Sequence, residues 1–139
     1  MSELRSILLA IELATRKRDE LAKAAARVEK TLQFAHGQMQ QLEGYAAETD
    51  ARWVQPGNEA RSAELMRHHY QFMERLQHAI GLQSGVMGQT QQQFAAAKQL
   101  LLQAEYRLAG LNQVLKARQT AVVLKERRSE QRQTDEFAA

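Results

Sequence analysis

Residues 66–122 read MRHHYQFMERLQHAIGLQSGVMGQTQQQFAAAKQLLLQAEYRLAGLNQVLKARQTAV. Within them nine apolar side chains recur at intervals of seven: Met66, Met73, Ile80, Met87, Phe94, Leu101, Leu108, Leu115 and Val122. A seven-residue repeat keeps one stripe on one side of a slightly underwound helix, so it specifies a second helix wound against the first and not a globular core. With 44% of the chain apolar, an unbroken run of nine arises by chance at roughly one in a thousand per register. The repeat is real, and it predicts a coiled coil.

A second stripe runs through the first third of the chain. One column is Leu4, Ile11, Arg18, Ala25, Leu32, Met39 and Ala46; its mate is Ile7, Ala14, Leu21, Val28, Ala35, Leu42 and Thr49. Twelve of these fourteen positions are apolar, and the alternation of three and four is that of a coiled-coil seam. The pattern predicts a first helix over about residues 3–49, with Ser2 as its N-cap. Between residues 50 and 62 the register fails, and Pro56-Gly57-Asn58 is the strongest turn signal in the chain. Proline cannot sit inside a helix, whereas glycine and asparagine tolerate positive φ. A second helix is expected from near Glu59 to about residue 133.

Two heptad helices joined by one short break predict an all-α fold: a long antiparallel two-helix coiled-coil hairpin, a single domain over residues 1–139, monomeric when free, with a straight parallel dimer kinked at Pro56 as the competing reading. A turn near residue 55 would pair position i with about 110 − i. Residues 111–139 would then overhang, exposing Leu111, Val114, Leu115, Ala121, Val122, Val123 and Leu124. An apolar stripe of that size without a mate marks a binding surface. Gly81, Gly85 and Gly88, inside the second helix, each weaken it by about 1 kcal/mol relative to alanine. They mark close helix approach, a weak point or a bend.

Composition removes several classes of function. The chain has 139 residues, one proline and no cysteine. Disulfides and thiolate–metal sites are therefore excluded, and a reducing compartment fits. The apolar stretch Ile7–Ile11 is too short for a membrane span and lacks a signal-peptide cleavage site, so a cytoplasmic protein is expected. Thirteen of the nineteen basic residues are arginine, interleaved with acids, and the net charge is only +3. Glu126, Glu130, Asp135 and Glu136 among the tail arginines argue against a nucleic-acid-binding face. His36, His68, His69 and His78 show neither an H-x-x-x-H nor an E-x-x-H spacing, so no metal site is expected. Phosphate loops, nucleophile elbows and buried carboxylate pairs are missing. No catalytic residue, no cofactor and no enzymatic activity is expected.

Three segments resemble one family. The tail carries Leu111-Asn112-Gln113-Val114-Leu115-Lys116-Ala117-Arg118-Gln119, then Glu126-Arg127-Arg128-Ser129-Glu130-Gln131-Arg132, then Asp135-Glu136-Phe137-Ala138. These are similar to the L-x-x-L-x-x-R-Q, E-x-R-x-[DE]-Q-K and D-E-F-A runs of the FliJ family of the bacterial flagellar type III export apparatus, with Arg132 in place of the usual lysine. The middle segment, Tyr70 to Ile80, resembles that family's Y-x-x-F-x-x-x-L-x-x-A-I. The first helix matches only in its heptads and in Gln38, Leu42 and Tyr45.

The resemblance implies an antiparallel two-helix coiled coil similar to the central stalk of rotary ATPases. It further implies insertion into the hexameric flagellar export ATPase, contact with the cytoplasmic domain of the export gate FlhA, and escort of export chaperones. The protein would then be peripheral at the cytoplasmic face of the inner membrane. The gate-facing residues would be Gln38, Leu42, Tyr45, Phe72, Leu76 and Ala79. The sequence departs from the family at Thr49, where an aromatic is common, and at Gln83, where a histidine is common. The ATPase-facing residues would be Leu111, Leu115, Arg118, Gln119, Val122, Glu126, Arg127, Arg128, Glu130 and Gln131. The corresponding stalk protein of a virulence type III system and a purely structural coiled-coil spacer are the alternatives.

Overall fold

The structure, a computed structural model, describes residues 2–54 and 62–138. It is an all-α helical hairpin in which two long helices, α1 (Ser2–Trp53) and α2 (Ala63–Ala138), pack against each other. The expected turn at Pro56-Gly57-Asn58 lies outside the described residues. So does Glu59, where the second helix was expected to begin; α2 starts instead behind Ser62. The Ser62 hydroxyl accepts the Leu65 amide at 3.1 Å and its carbonyl accepts the Met66 amide at 3.0 Å, which satisfies donors that a helix start leaves open. Ser2, expected as a cap, is instead the first residue of α1, and its carbonyl accepts the Ser6 hydroxyl.

The chain divides into two compact units, residues 25–97 and residues 1–24 with 98–139. In each, a stretch of α1 packs on a stretch of α2. All fourteen positions of the two α1 columns are buried or half-buried, and so are Met73, Ile80, Met87, Phe94, Leu101, Leu108 and Leu115 of the α2 column. Met66 and Val122, at the ends of that column, are exposed. The α1 stripe also continues one heptad further than expected. Trp53, seven residues beyond Ala46, is half-buried, because α1 keeps its register to its last residue.

The seam is built largely of small side chains. Its most buried apolar residues are Ala14, Ala25, Ala35, Ala46, Leu76 and Ala104, and no large side chain among the described residues is fully buried. Interaxial distance follows the size of the side chains at the contact, so alanine layers let the two helices approach closely. Polar members of the seam are satisfied locally. The hydroxyl of buried Thr90 donates to the Val86 carbonyl at 2.8 Å. Arg18 donates through Nε to Asp19 at 2.8 Å while its stem lies along the seam.

The pairing register differs from the expected one. Within residues 25–97, Gln83 reaches Ala35 and Trp53 stacks on His69; within the other unit, Arg118 reaches Glu3. Facing positions therefore carry numbers that add to about 118–122 and not to 110. The offset amounts to about two to three helical turns. Its cause is the extra turn of α1 through Trp53 together with the late start of α2 at Ala63, which move the reversal along the sequence. One consequence corrects the expected overhang. Leu111 and Leu115 are half-buried at the levels of Ile7 and Leu4, so the uncovered part of α2 does not start at residue 111. Residues 116–138 are all exposed, and α2 stays helical to Ala138 instead of ending near residue 133.

The glycines are not points of close approach. A Cβ added at Gly81, Gly85 or Gly88 would meet nothing within 4 Å. That removes helix–helix proximity as the reason for them.

Candidate functional site

The six residues expected to face an export gate all fall within the unit of residues 25–97, and the register sorts them into two kinds. Leu42 and Leu76 are seam residues that face each other's level across the hairpin; Leu76 is only 8% exposed and Leu42 is half-buried. Each holds the helices together and has little surface left to offer. Tyr45 and Phe72 flank the seam. Their numbers also bring them to nearly one level, and they are 57% and 48% exposed. The 110 − i register had placed Phe72 one to two turns beyond Tyr45; the observed register brings them abreast. Gln38 is exposed and Ala79 is half-buried, on the same flanking columns seven residues from Tyr45 and Phe72. The outcome is a flank with two aromatic anchors beside a leucine layer, an arrangement suited to apolar recognition.

One residue of this region escaped sequence reasoning as a participant. Gln83, noted only as a departure from a family pattern, occupies the α2 seam column that contains Leu76. Its Nε2 donates to the Ala35 carbonyl at 2.8 Å and to Gln38 Oε1 at 3.3 Å. A glutamine seven residues after Leu76 and three after Ile80 was the signal: a polar residue in a seam requires a partner across it. Gln83 thereby ties Gln38, at the edge of the flank, to the opposite helix.

The histidines are dispersed. His36, His68 and His78 are exposed, while His69 lies in the seam under Trp53 with its ring edge-on to Tyr70 at 5.8 Å. Among the described residues no group of three or more His, Asp or Glu side chains is assembled as a metal site. No described helix is long and apolar enough to cross a membrane.

The ten residues expected to face an ATPase lie in the other unit and are also of two kinds. Leu111 and Leu115 pack in the seam, and Arg118 bridges to Glu3 at 3.0 Å. Gln119, Val122, Glu126, Arg127, Arg128, Glu130 and Gln131 are exposed on a stretch of α2 that no other described residue covers. Gln131 donates to Asp135 at 3.1 Å. Val122, Val123 and Leu124 are 42%, 45% and 47% exposed, so three adjacent apolar side chains ring this helix just before its arginine cluster. The arrangement has the chemistry of a binding helix: apolar contact first, then cations for carboxylates.

Comparison with known proteins gives one family. The family described as flagellar FliJ protein matches residues 5–139, essentially the whole chain. No match was found among curated proteins or among solved structures.

Proposed function

The chain belongs to the FliJ family of flagellar proteins, a component of the flagellar type III export apparatus, and we propose that it serves there, without catalytic activity of its own, as the stalk of the hexameric export ATPase. In this reading the exposed end of α2 enters the ring. Val122 and its neighbours supply the apolar contact, and Arg127 and Arg128 meet carboxylates of the opening. The Tyr45–Phe72 flank contacts the cytoplasmic domain of FlhA, and the protein escorts export chaperones at the cytoplasmic face of the inner membrane. The observation that supports the stalk role best is that residues 116–138 form a continuous helix with an apolar ring that no other described residue covers. A spacer between two proteins would have no use for such a stretch.

The test is stimulation of ATP hydrolysis by the purified export ATPase. Val122→Asp should abolish both binding and stimulation, whereas Gln99→Asp, also at an exposed position, should retain both. Leu115 is unsuited to this purpose, because an aspartate there would open the seam as well. If Val122→Asp binds and stimulates like the parent, the end of α2 is not the insertion element.

A further inference from the structure

The unit formed by residues 1–24 and 98–139 carries an open groove of about 680 Å³ between the two helices. Its floor is Ala14 and Ala104, both buried, and its walls are Leu13 and Leu100, which are 57% and 52% exposed. The lining also holds two cations, Lys17 and Arg107, and one neutral polar side chain, Gln103, and no acidic side chain contributes to it. The groove follows from the sequence. Alanine in both seam columns at this level leaves a trough, and leucine beside each one raises its edges. The surface belongs to neither set of residues discussed above.

Charge and spacing select the occupant. In the observed register Arg107 stands level with about residues 11–14 of α1. Lys17 is therefore displaced from it by roughly three to six residues, or about 4.5–9 Å along the helix. Carboxylates four or seven residues apart on an α-helix lie on one face, spaced by about 6 or 10.5 Å. Leucines of such a helix at three- and four-residue spacing would drop between Leu13 and Leu100 onto the alanine floor. Glu12 and Asp19, acids of the same part of α1, are engaged by Arg16 and Arg18 at 2.7 and 2.8 Å, so they do not compete for the two cations.

We propose that this groove is a docking site for an acidic amphipathic helix of a partner protein, laid along the hairpin as a third strand with carboxylates on Lys17 and Arg107. The apolar trough supplies area, and the two cations supply register and discrimination against basic helices. The proposal is independent of the stalk reading, since it concerns different residues and a different ligand chemistry.

The full chain would be titrated with a fluorescent helical peptide of about 20 residues. The peptide carries a leucine–alanine stripe flanked by glutamates at intervals of seven; its counterpart carries lysines there. The glutamate peptide should bind at least about tenfold more tightly, with an affinity that falls as salt rises. Lys17→Glu with Arg107→Glu should invert that preference. Lys23→Glu with Lys30→Glu, an equal charge change at exposed positions outside the groove, should leave it intact. Leu100→Asp should abolish binding of both peptides with helicity in circular dichroism preserved. Equal binding of the two peptides, or a preference that survives reversal of Lys17 and Arg107, would overturn the proposal. So would sedimentation of the free chain as a dimer that Leu100→Asp dissociates, because the groove would then hold a second copy.

Discussion

The indole of Trp53 lies flat on the imidazole of His69, with ring centroids 3.9 Å apart and planes 4° from parallel. The last residue of α1 is thereby fastened to the second turn of α2 within residues 25–97. His69→Ala should cost about 0.5–1.5 kcal/mol, the worth of an aromatic pair beyond its burial. Trp53 is the chain's single tryptophan, so its emission reports this contact directly. Urea denaturation followed by fluorescence checks the magnitude, and an unchanged spectrum in His69→Ala would show that the stack does not persist in solution.

Leu76 and Phe72, one turn apart on α2, should separate stability from recognition. Leu76→Ala removes a side chain that is 8% exposed and should destabilise the hairpin by roughly 2–4 kcal/mol. Phe72→Ala, at 48% exposure, should cost under about 1 kcal/mol of stability and yet weaken FlhA binding by about 1–3 kcal/mol. Thermal melts paired with binding titrations decide this. A large stability loss in Phe72→Ala would remove it from the recognition surface.

Gln83 spans the seam to Ala35 and Gln38. A polar residue in a coiled-coil seam fixes register at some cost in stability. Gln83→Leu should therefore raise the denaturation midpoint, by about 1 kcal/mol of added apolar burial. It should also broaden the distance distribution between spin labels placed at exposed positions on the two helices. A narrow distribution would mean that register is set elsewhere in the seam.

Alanine at Gly81, Gly85 and Gly88 should be stabilising, because each added Cβ enters open space. Each replacement is worth about 0.8–1 kcal/mol of helix propensity. The triple variant should consequently melt several degrees higher, and calorimetry would reveal it. No gain would show that this stretch of α2 is held by its partner helix alone.

The heptad spacing made both helices and the α1 seam positions through Thr49 legible in the sequence, since a period of seven names the buried face without reference to any partner. What it left open was where that face meets the other. Register depends on how far each helix runs toward the turn. Trp53 falls on the α1 column, but the failing pattern after Thr49 concealed it, and Ser62 is a weaker signal than the proline before it. The ten-residue error then spread to Leu111 and Leu115, read as overhanging although they are seam residues. It spread equally to the placement of Phe72 relative to Tyr45. The six residues expected to face a gate fall within one unit, and their division into holding and displayed residues required the register. Gln83 was visible only as an anomaly, because a hydrogen bond across a seam has no signature in one strand of it.

An alanine-lined seam also shapes the heat-capacity behaviour of this hairpin. The heat-capacity increment of unfolding scales with the apolar surface released, and alanines release little per residue. The stability curve should accordingly be flatter than that of a compact domain of equal length, with less stability lost on cooling.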